Sequence, residues 1–224
     1  LAETAQLAQT LLPAIERALG ATKNAALLQL RSAAQKAAEV AAERLAQLSK
    51  LAERCTGLAD IDFEFLYQRE RHLLAIGYNV TDHRLDTSFY DLLASEARLS
   101  SFVAIAQGKL PQEHWFRLGR SLTSSGGQPA LLSWSGSMFE YLMPQLVMPT
   151  YERTLLDQTC RAAVARQIEY GRQRGVPWGM SESAYNIVDA QLIYQYRAFG
   201  VPGLGLKPGL VEDLVVAPYA SVMA

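Results

Sequence analysis

Three glutamates sit among aromatic and apolar residues, whereas acids on exposed helices normally have Lys or Arg neighbours. Glu96 lies in Tyr90-Asp-Leu-Leu-Ala-Ser-Glu-Ala-Arg-Leu, surrounded by Leu92, Leu93, Ala97 and Leu99, with Tyr90 and Asp91 one to two turns earlier. A carboxylate in such company is expected to lose hydration and favour its protonated form, the state a general acid needs. Glu140 falls in Trp134-Ser-Gly-Ser-Met-Phe-Glu-Tyr-Leu-Met-Pro, an apolar helix start, and Glu182 in the turn-rich Pro177-Trp-Gly-Met-Ser-Glu-Ser-Ala-Tyr-Asn, flanked by Trp178 and Tyr185. Two carboxyls flanking a glycosidic bond, with Trp and Tyr rings as platforms for sugars, is the simplest chemistry this inventory could run. Trp115, Trp134 and Trp178 each lie near a Gly or a charged residue, as platforms at a cleft mouth would. Every one of these residues also has a structural alternative. Glu96 could pair with Arg98 or Arg71, Glu140 could cap a helix beside Ser135 or Ser137, Glu182 could accept backbone donors in its loop, and the tryptophans could simply fill the core.

Other chemistries find less support. His72, His83 and His114 show no HxxxH or HExxH spacing, and neither Cys55 nor Cys160 has a nearby partner, so no metal site is expected. Gly200-Val-Pro-Gly-Leu-Gly has the wrong spacing for a dinucleotide fingerprint, no GKS or GKT occurs, and no cofactor is implied. Ser124-Ser-Gly-Gly lacks the GxSxG form of a nucleophile turn and reads as a flexible surface loop.

The elements that must hold these residues change character near position 60. All 20 aromatic residues (10 Tyr, 7 Phe, 3 Trp) and all three His come after Asp60, whereas the first 50 residues carry 15 Ala with spaced Leu. That Ala-rich stretch, residues 1–58, predicts long helices interrupted at Pro13 and Gly20–Asn24, with one helix from about Lys23 to Arg54. Ala dominates where a coiled-coil seam wants Leu or Ile, which favours intramolecular packing or a spacer. Beyond it, Phe63, Phe65 and Tyr67 alternate with polar neighbours, and Leu73–Val80 follows a polar turn at Gln68–Arg71, predicting a β-hairpin. Helices are expected from Ser88 to near Gly108, over Gln112–Leu118, over Gly136–Met143 until Pro144, over Tyr151–Gly171 and near Leu210–Ala217. Helices outnumber strands and no βαβ alternation supports a parallel sheet.

Composition narrows the function classes further. Half of the 224 residues are hydrophobic, and 21 Lys+Arg against 22 Asp+Glu leave a formal charge of −1. That describes a foldable globular chain and argues against both a disordered tail and a dedicated nucleic-acid binder. No run reaches 18 apolar residues and the first ten residues lack a basic and apolar leader, so the segment reads as neither membrane-spanning nor signal-led. Two distant cysteines read as ordinary buried thiols.

Taken together, Asp62-Phe-Glu-Phe-Leu-Tyr, Ile76-Gly-Tyr-Asn, Tyr90-Asp-Leu-Leu-Ala-Ser-Glu-Ala-Arg, His114-Trp-Phe-Arg-Leu-Gly-Arg, Leu132-Ser-Trp-Ser-Gly-Ser-Met-Phe-Glu-Tyr-Leu-Met-Pro, Gly175-Val-Pro-Trp-Gly-Met-Ser-Glu-Ser-Ala-Tyr-Asn and Gly203-Leu-Gly-Leu-Lys form a pattern. It resembles the glycoamylase-like domain of bacterial cyclic β-1,2-glucan synthases, from about Ala59 to the end of the chain.

The resemblance implies a mainly α fold, part of an (α/α)6 barrel with a small β-hairpin, preceded by the Ala-rich helical segment. The domain would span 59–224 and be incomplete at its C-terminus, because a barrel of twelve helices needs a longer chain. The parent enzymes are large inner-membrane proteins, which places the domain on the cytoplasmic face with the other synthase domains and a β-1,2-glucan chain as partners, and with no nucleic acid. In them this domain closes a linear glucan into a ring by transglycosylation. Carried over by motif, Glu182 would be the nucleophile and Glu96 the general acid/base. Tyr90, Asp91, Trp115, Arg117, Trp134, Glu140, Trp178 and Tyr185 would contact the glucan. The acid can act through a substrate hydroxyl in this family, so the carboxyl separation can exceed the roughly 5–5.5 Å of ordinary retaining enzymes. An endo-β-1,2-glucanase, a non-catalytic glucan-binding module and an all-helical interaction module remain the alternatives.

Overall fold

The computed structural model describes residues 1–22 and 24–224. It divides into two compact units, residues 1–61 and 62–224. The first consists of two helices packed on one another, α1 (Ala2–Ala21) and α2 (Ala25–Leu58), which bury Ala8, Ile15 and Ala41. Small side chains at the contact let the helices approach, and the Asn24 side chain caps α2 by accepting from the Ala26 N–H at 2.8 Å. Pro13 lies inside α1 without ending it. The predicted start of the second helix, Lys23, lies outside the described residues. Among the described residues no helix is long and apolar enough to cross a membrane.

The second unit carries five short or medium helices and four antiparallel hairpins, and the chain is mainly helical, with no closed barrel among the described residues. The predicted hairpin exists but is short: β1 (Tyr67–Gln68) pairs with β2 (Leu73–Leu74), and Glu64–Leu66 before it is a 3-10 turn. A second hairpin, β3 (Tyr78–Asn79) with β4 (Arg84–Leu85), follows. The helix expected from Ser88 begins later, as α3 (Ser95–Ala106). Its approach is extended because Phe89 bridges Ala75 and Asp91 bridges Gly119, and the Asp91 carboxylate takes up the Leu93 and Ala94 N–H groups at 2.8 and 3.0 Å.

A short helix, α4 (Glu113–Arg117), carries the buried His114. The Ser124-Ser-Gly-Gly stretch expected to be a surface loop belongs instead to the hairpin of β5 (Leu122–Ser125) and β6 (Gln128–Leu131). The two central residues of the hairpin, Gly126 and Gly127, take φ of 57° and 77°, the backbone a tight primed turn requires. Next come α5 (Met138–Leu142) and α6 (Leu155–Arg174), the latter capped by Thr154 at its start and by a left-handed Gly175 at its end. The chain then forms the hairpin of β7 (Ser183–Val188) and β8 (Tyr194–Arg197). The helix expected near Leu210–Ala217 is absent: Val216 pairs with Met180 and Ala217 donates to the Gly179 carbonyl, so α7 starts only at Pro218 and runs to Val222. Pro218 suits that first position, where no N–H is needed.

Leu93, Leu131, Met138, Met180, Val201 and Leu204 form the centre of the core, each at most 1% exposed. Tyr141 stands among them, donating its hydroxyl toward the carbonyls of Leu131 (2.9 Å) and Leu204 (2.7 Å) and accepting from the Ser133 N–H at 3.2 Å. Burial pushes the Tyr141 phenol far above its ordinary value, so it stays a donor. The loop at 133–137 crosses the loop at 200–205 so closely that a Cβ on Gly200 would stand 1.8 Å from the Ser135 carbonyl oxygen. Of the two cysteines, Cys160 is buried and its thiol is pushed up to about 11 mainly by that burial, whereas Cys55 is exposed on α2, contrary to expectation.

Two buried polar groups set measurable consequences. Gln167 on α6 donates from Nε2 to the Met180 carbonyl and accepts from the Met180 N–H, both at 2.8 Å. Gln167→Leu strands the Met180 N–H away from water and is expected to cost about 2–4 kcal/mol in urea unfolding; a loss under ~1 kcal/mol would contradict the importance given to this pair. His114 donates from Nδ1 to the His72 carbonyl at 2.9 Å, so its Nε2 accepts from the Ser101 hydroxyl at 2.8 Å and the ring is neutral. Burial lowers its pKa below the ordinary histidine value, with the His72 bond opposing. The unfolded chain therefore takes up this proton first, and stability present above about pH 6.5 is lost as the pH falls below it. Melting temperature recorded between pH 8 and 5 should drop on the acid side, and His114→Gln should flatten that drop.

Candidate active site

Glu182 lies immediately before β7 and is partly buried. Its Oε2 accepts a hydrogen bond from the Tyr196 hydroxyl, 2.7 Å away on the neighbouring strand. Its backbone carbonyl accepts from the Tyr219 hydroxyl at 2.8 Å, and that same hydroxyl is 2.9 Å from Ser181 Oγ. A phenol has one proton, and a carbonyl can only accept, so Ser181 is the donor in the second contact. Ser181 Oγ also accepts from the Phe139 N–H of α5 at 3.0 Å, while the Met138 N–H donates to the Met180 carbonyl at 3.2 Å. The start of α5 thus fixes the strand that presents Glu182.

Glu96 is the second residue of α3, where a negative charge faces the positive end of the helix dipole. Its Oε2 accepts from the Ser95 hydroxyl at 2.8 Å, and the side chain is exposed. The dehydrated setting expected for it is not built: Leu92 and Leu93 turn into the core at 2% and 1% exposure, leaving the carboxylate on the outside of the turn. Neither proposed arginine partner holds it. The buried Arg98 donates Nη2 to the carbonyls of Glu140 (3.0 Å) and Tyr141 (3.1 Å), tying α3 to α5, and Arg71 lies over the Phe89 ring at 5.2 Å. Burial draws the Arg98 guanidinium downward, opposed by Cys160 and Asp91.

Loss of hydration, followed by the bond to Glu182 and its charge, pushes the Tyr196 phenol up to about 12, with smaller upward contributions from Tyr219 and Glu96. Tyr196 and Tyr219 escaped sequence reasoning. The Tyr194-Gln-Tyr196 alternation was the available strand signal, but nothing local says that this strand returns to Glu182.

Glu140 behaves differently. Its Oε2 gathers the Ser133 hydroxyl (2.9 Å), the Ser135 N–H (3.1 Å) and hydroxyl, and the Ser137 hydroxyl (3.3 Å) and N–H (3.4 Å). With Ser137 it forms a capping box at the start of α5, the helix-capping alternative realised in full. The loop it braces presents Trp134, which is 62% exposed.

The remaining sequence-selected residues fall into two groups. Tyr90 and Arg117 are exposed, and Tyr185 on β7 meets the buried Phe199 ring edge-on at 5.1 Å. Trp115 and Trp178 pack against the core, the alternative weighed for them, and Asp91 spends its carboxylate on the backbone ahead of α3. Near the core, Ser101 and the His72 carbonyl occupy His114; His72 and His83 sit at hairpin turns with φ of 56° and 48°.

Comparison with known proteins bears on this arrangement. Residues 88–224 match the Glycoamylase family model, described as "Putative glucoamylase". The cyclic beta-(1,2)-glucan synthase NdvB of Rhizobium meliloti (strain 1021) is 55% identical over 179 residues, which are 80% of this chain and 6% of that protein. The chain therefore spans only a small part of the length of the curated relative it matches.

The serine cradle gives a direct test. Glu140→Ala leaves the Ser133, Ser135 and Ser137 donors facing one another without an acceptor and is expected to destabilise the fold by about 2–4 kcal/mol in urea titration. Glu140→Gln, which keeps one acceptor oxygen, should recover part of that loss; equal stability of Glu140→Ala and the parent chain would show that the cradle is filled some other way.

Proposed function

Since the chain belongs to the glycoamylase family, and is related to a cyclic β-1,2-glucan synthase, we propose that it is a carbohydrate-active domain that closes linear β-1,2-glucan into a ring by retaining transglycosylation. The observation that carries this reading is the Glu182 carboxylate, held at Oε2 by the Tyr196 hydroxyl at 2.7 Å within the region that matches the family model. A retaining transfer needs two carboxyls at one glycosidic bond, and Glu96 is the second acid in this reading.

On this reading Glu182 attacks the anomeric carbon of a β-1,2-linked glucose while Glu96 protonates the departing glycosidic oxygen, directly or through a substrate hydroxyl. The C–O bond of the linkage breaks and an ester bond to Glu182 forms. The 2-hydroxyl at the non-reducing end of the same chain then attacks that carbon, gives its proton to Glu96, and releases Glu182 as a carboxylate. Exposed rings such as Trp134 and Tyr90 suit the stacking of sugar residues on either side. The domain would work as residues 59–224 of this chain together with further segments of a large inner-membrane synthase, on the cytoplasmic face, completing an (α/α)6 barrel. Tyr90, Asp91, Trp115, Arg117, Trp134, Glu140, Trp178 and Tyr185 would belong to the glucan cleft or its walls.

Endo-β-1,2-glucan hydrolysis is the second reading, and the exposure of Glu96 favours it, because water reaches the acid/base freely. Product analysis of the complete protein with linear β-1,2-glucan separates the two, since a ring is lighter than its linear counterpart by one water. Glu182→Gln and Glu96→Gln are each expected to lower turnover by at least about 1000-fold. Wild-type turnover by Glu182→Gln would remove that residue from the chemistry, and exclusively linear products from the unaltered protein would decide for hydrolysis.

A further inference from the structure

We propose that Tyr196 is the positioning residue for the Glu182 carboxylate, its hydroxyl holding Oε2 so that Oε1 is the oxygen turned to attack; this rests on the reading of Glu182 as nucleophile. A glutamate side chain has three rotatable bonds, and an attacking oxygen displaced by about 1 Å loses much of its rate advantage. The fold restrains Glu182 from both ends. At the backbone, Tyr219 donates to its carbonyl, and Ser181 is held by Tyr219 and the Phe139 N–H. At the tip, the Tyr196 hydroxyl donates to Oε2 at 2.7 Å. The strand register makes that reach dependable, because Tyr196 pairs with Ala184, two residues beyond Glu182, and Arg197 pairs with Ser183. Arg197 is anchored in turn by Asp213 at 3.0 Å.

Tyr196 contributes little to the core. It is 62% exposed, so its hydroxyl bond is not needed to bury the ring. Its elevated pKa keeps the proton on the phenol throughout the working range, making it a permanent donor. During turnover no proton leaves Tyr196: the bond to Oε2 persists while Oε1 forms the ester, and Oε2 becomes the carbonyl oxygen of that ester. A donor at this oxygen stabilises the carboxylate before attack and again as it departs.

The test compares Tyr196→Phe with Tyr194→Phe in the complete protein, using linear β-1,2-glucan as substrate and Glu182→Gln as the reference for loss of the nucleophile. Tyr194, 63% exposed on the same strand, controls for removing a strand hydroxyl in general. Tyr196→Phe is expected to lower kcat about 10- to 100-fold, the range for one charge-assisted hydrogen bond, with KM within about twofold and an unchanged melting temperature. Tyr194→Phe should match the unaltered protein. Wild-type kcat for Tyr196→Phe beside an inactive Glu182→Gln would overturn the positioning role and leave the nucleophile reading standing. An active Glu182→Gln would take both down. A raised KM at unchanged kcat would make Tyr196 a substrate contact, and a lowered melting temperature or an equal loss in Tyr194→Phe would make it a structural residue; each of those results also overturns the proposal.

Discussion

The backbone of a single residue, Met180, carries the geometry of the second compact unit. Its N–H and carbonyl are both taken by the buried Gln167 carboxamide, which thereby acts as a rung of sheet supplied by a helix. The same carbonyl accepts from the Met138 N–H, and Met180 itself bridges Val216. Four segments are fixed by that one residue: α6 through Gln167, α5 through Met138, the extended run into α7 through Val216, and the segment that presents Glu182 two residues later, just before β7. In the interior a peptide group without partners costs more than a surface bond returns, so these pairings admit little slippage. The backbone position of Glu182 is inherited from the core, and the exposed hairpin that follows it adds the restraint at the carboxylate tip.

The acids divide according to how fully their oxygens are used. Glu140 and Asp91 are satisfied by donors on their own or adjoining turns, and each ends as a fastener: one for the start of α5, the other for the approach to α3. Glu96 and Glu182 instead receive one side-chain donor each, Ser95 and Tyr196, and remain at the surface. Glu140 has both oxygens engaged, Oε2 by five donors and Oε1 by the Ser135 N–H at 3.3 Å, and Asp91 is closed onto its own turn by two backbone donors, whereas a carboxylate that receives a single side-chain donor keeps its other oxygen for chemistry. Arg98 makes the division possible. It links α3 to α5 through carbonyl oxygens and so spends its charge without neutralising Glu96.

What the sequence made legible follows the range of the forces involved. The apolar stripe marks α6 within a few residues, and the alternation around Tyr67 marks the first hairpin, because both are local patterns. The strands around Gly126 and Gly127 read as a loop because their apolar content is low and their pairing rests on turn geometry. The delayed start of α3 and the displaced α7 have a different origin. In each case backbone pairing with a remote partner, Gly119 for Asp91 and Met180 for Val216, holds in extended form residues whose local pattern suits a helix. Glu96 and Glu182 could be picked out from their unusual neighbours. Tyr196 could not, since its importance exists only once β8 returns beside β7.

The exposure of Glu96 bears on how a ring could be closed at all. Ring closure requires the 2-hydroxyl of a chain end to outcompete bulk water for the glycosyl ester, and burying the site is one way to arrange that. It is not the only one. A tethered acceptor held in attack geometry can reach an effective molarity of about 10⁵ M or more, far above that of water, even where solvent enters freely. The requirement then passes from the acids to whatever holds the returning end of the glucan. In this chain the exposed Trp134 is set on a loop clamped by the Glu140 cradle, by the Gly200 crossing and by Leu206 and Lys207 N–H groups on the Trp134 carbonyl. A rigid exposed ring loses little entropy when a sugar stacks on it. Under the proposed function, discrimination between ring closure and hydrolysis would therefore lie in acceptor binding on such platforms, with the carboxylate pair common to both outcomes.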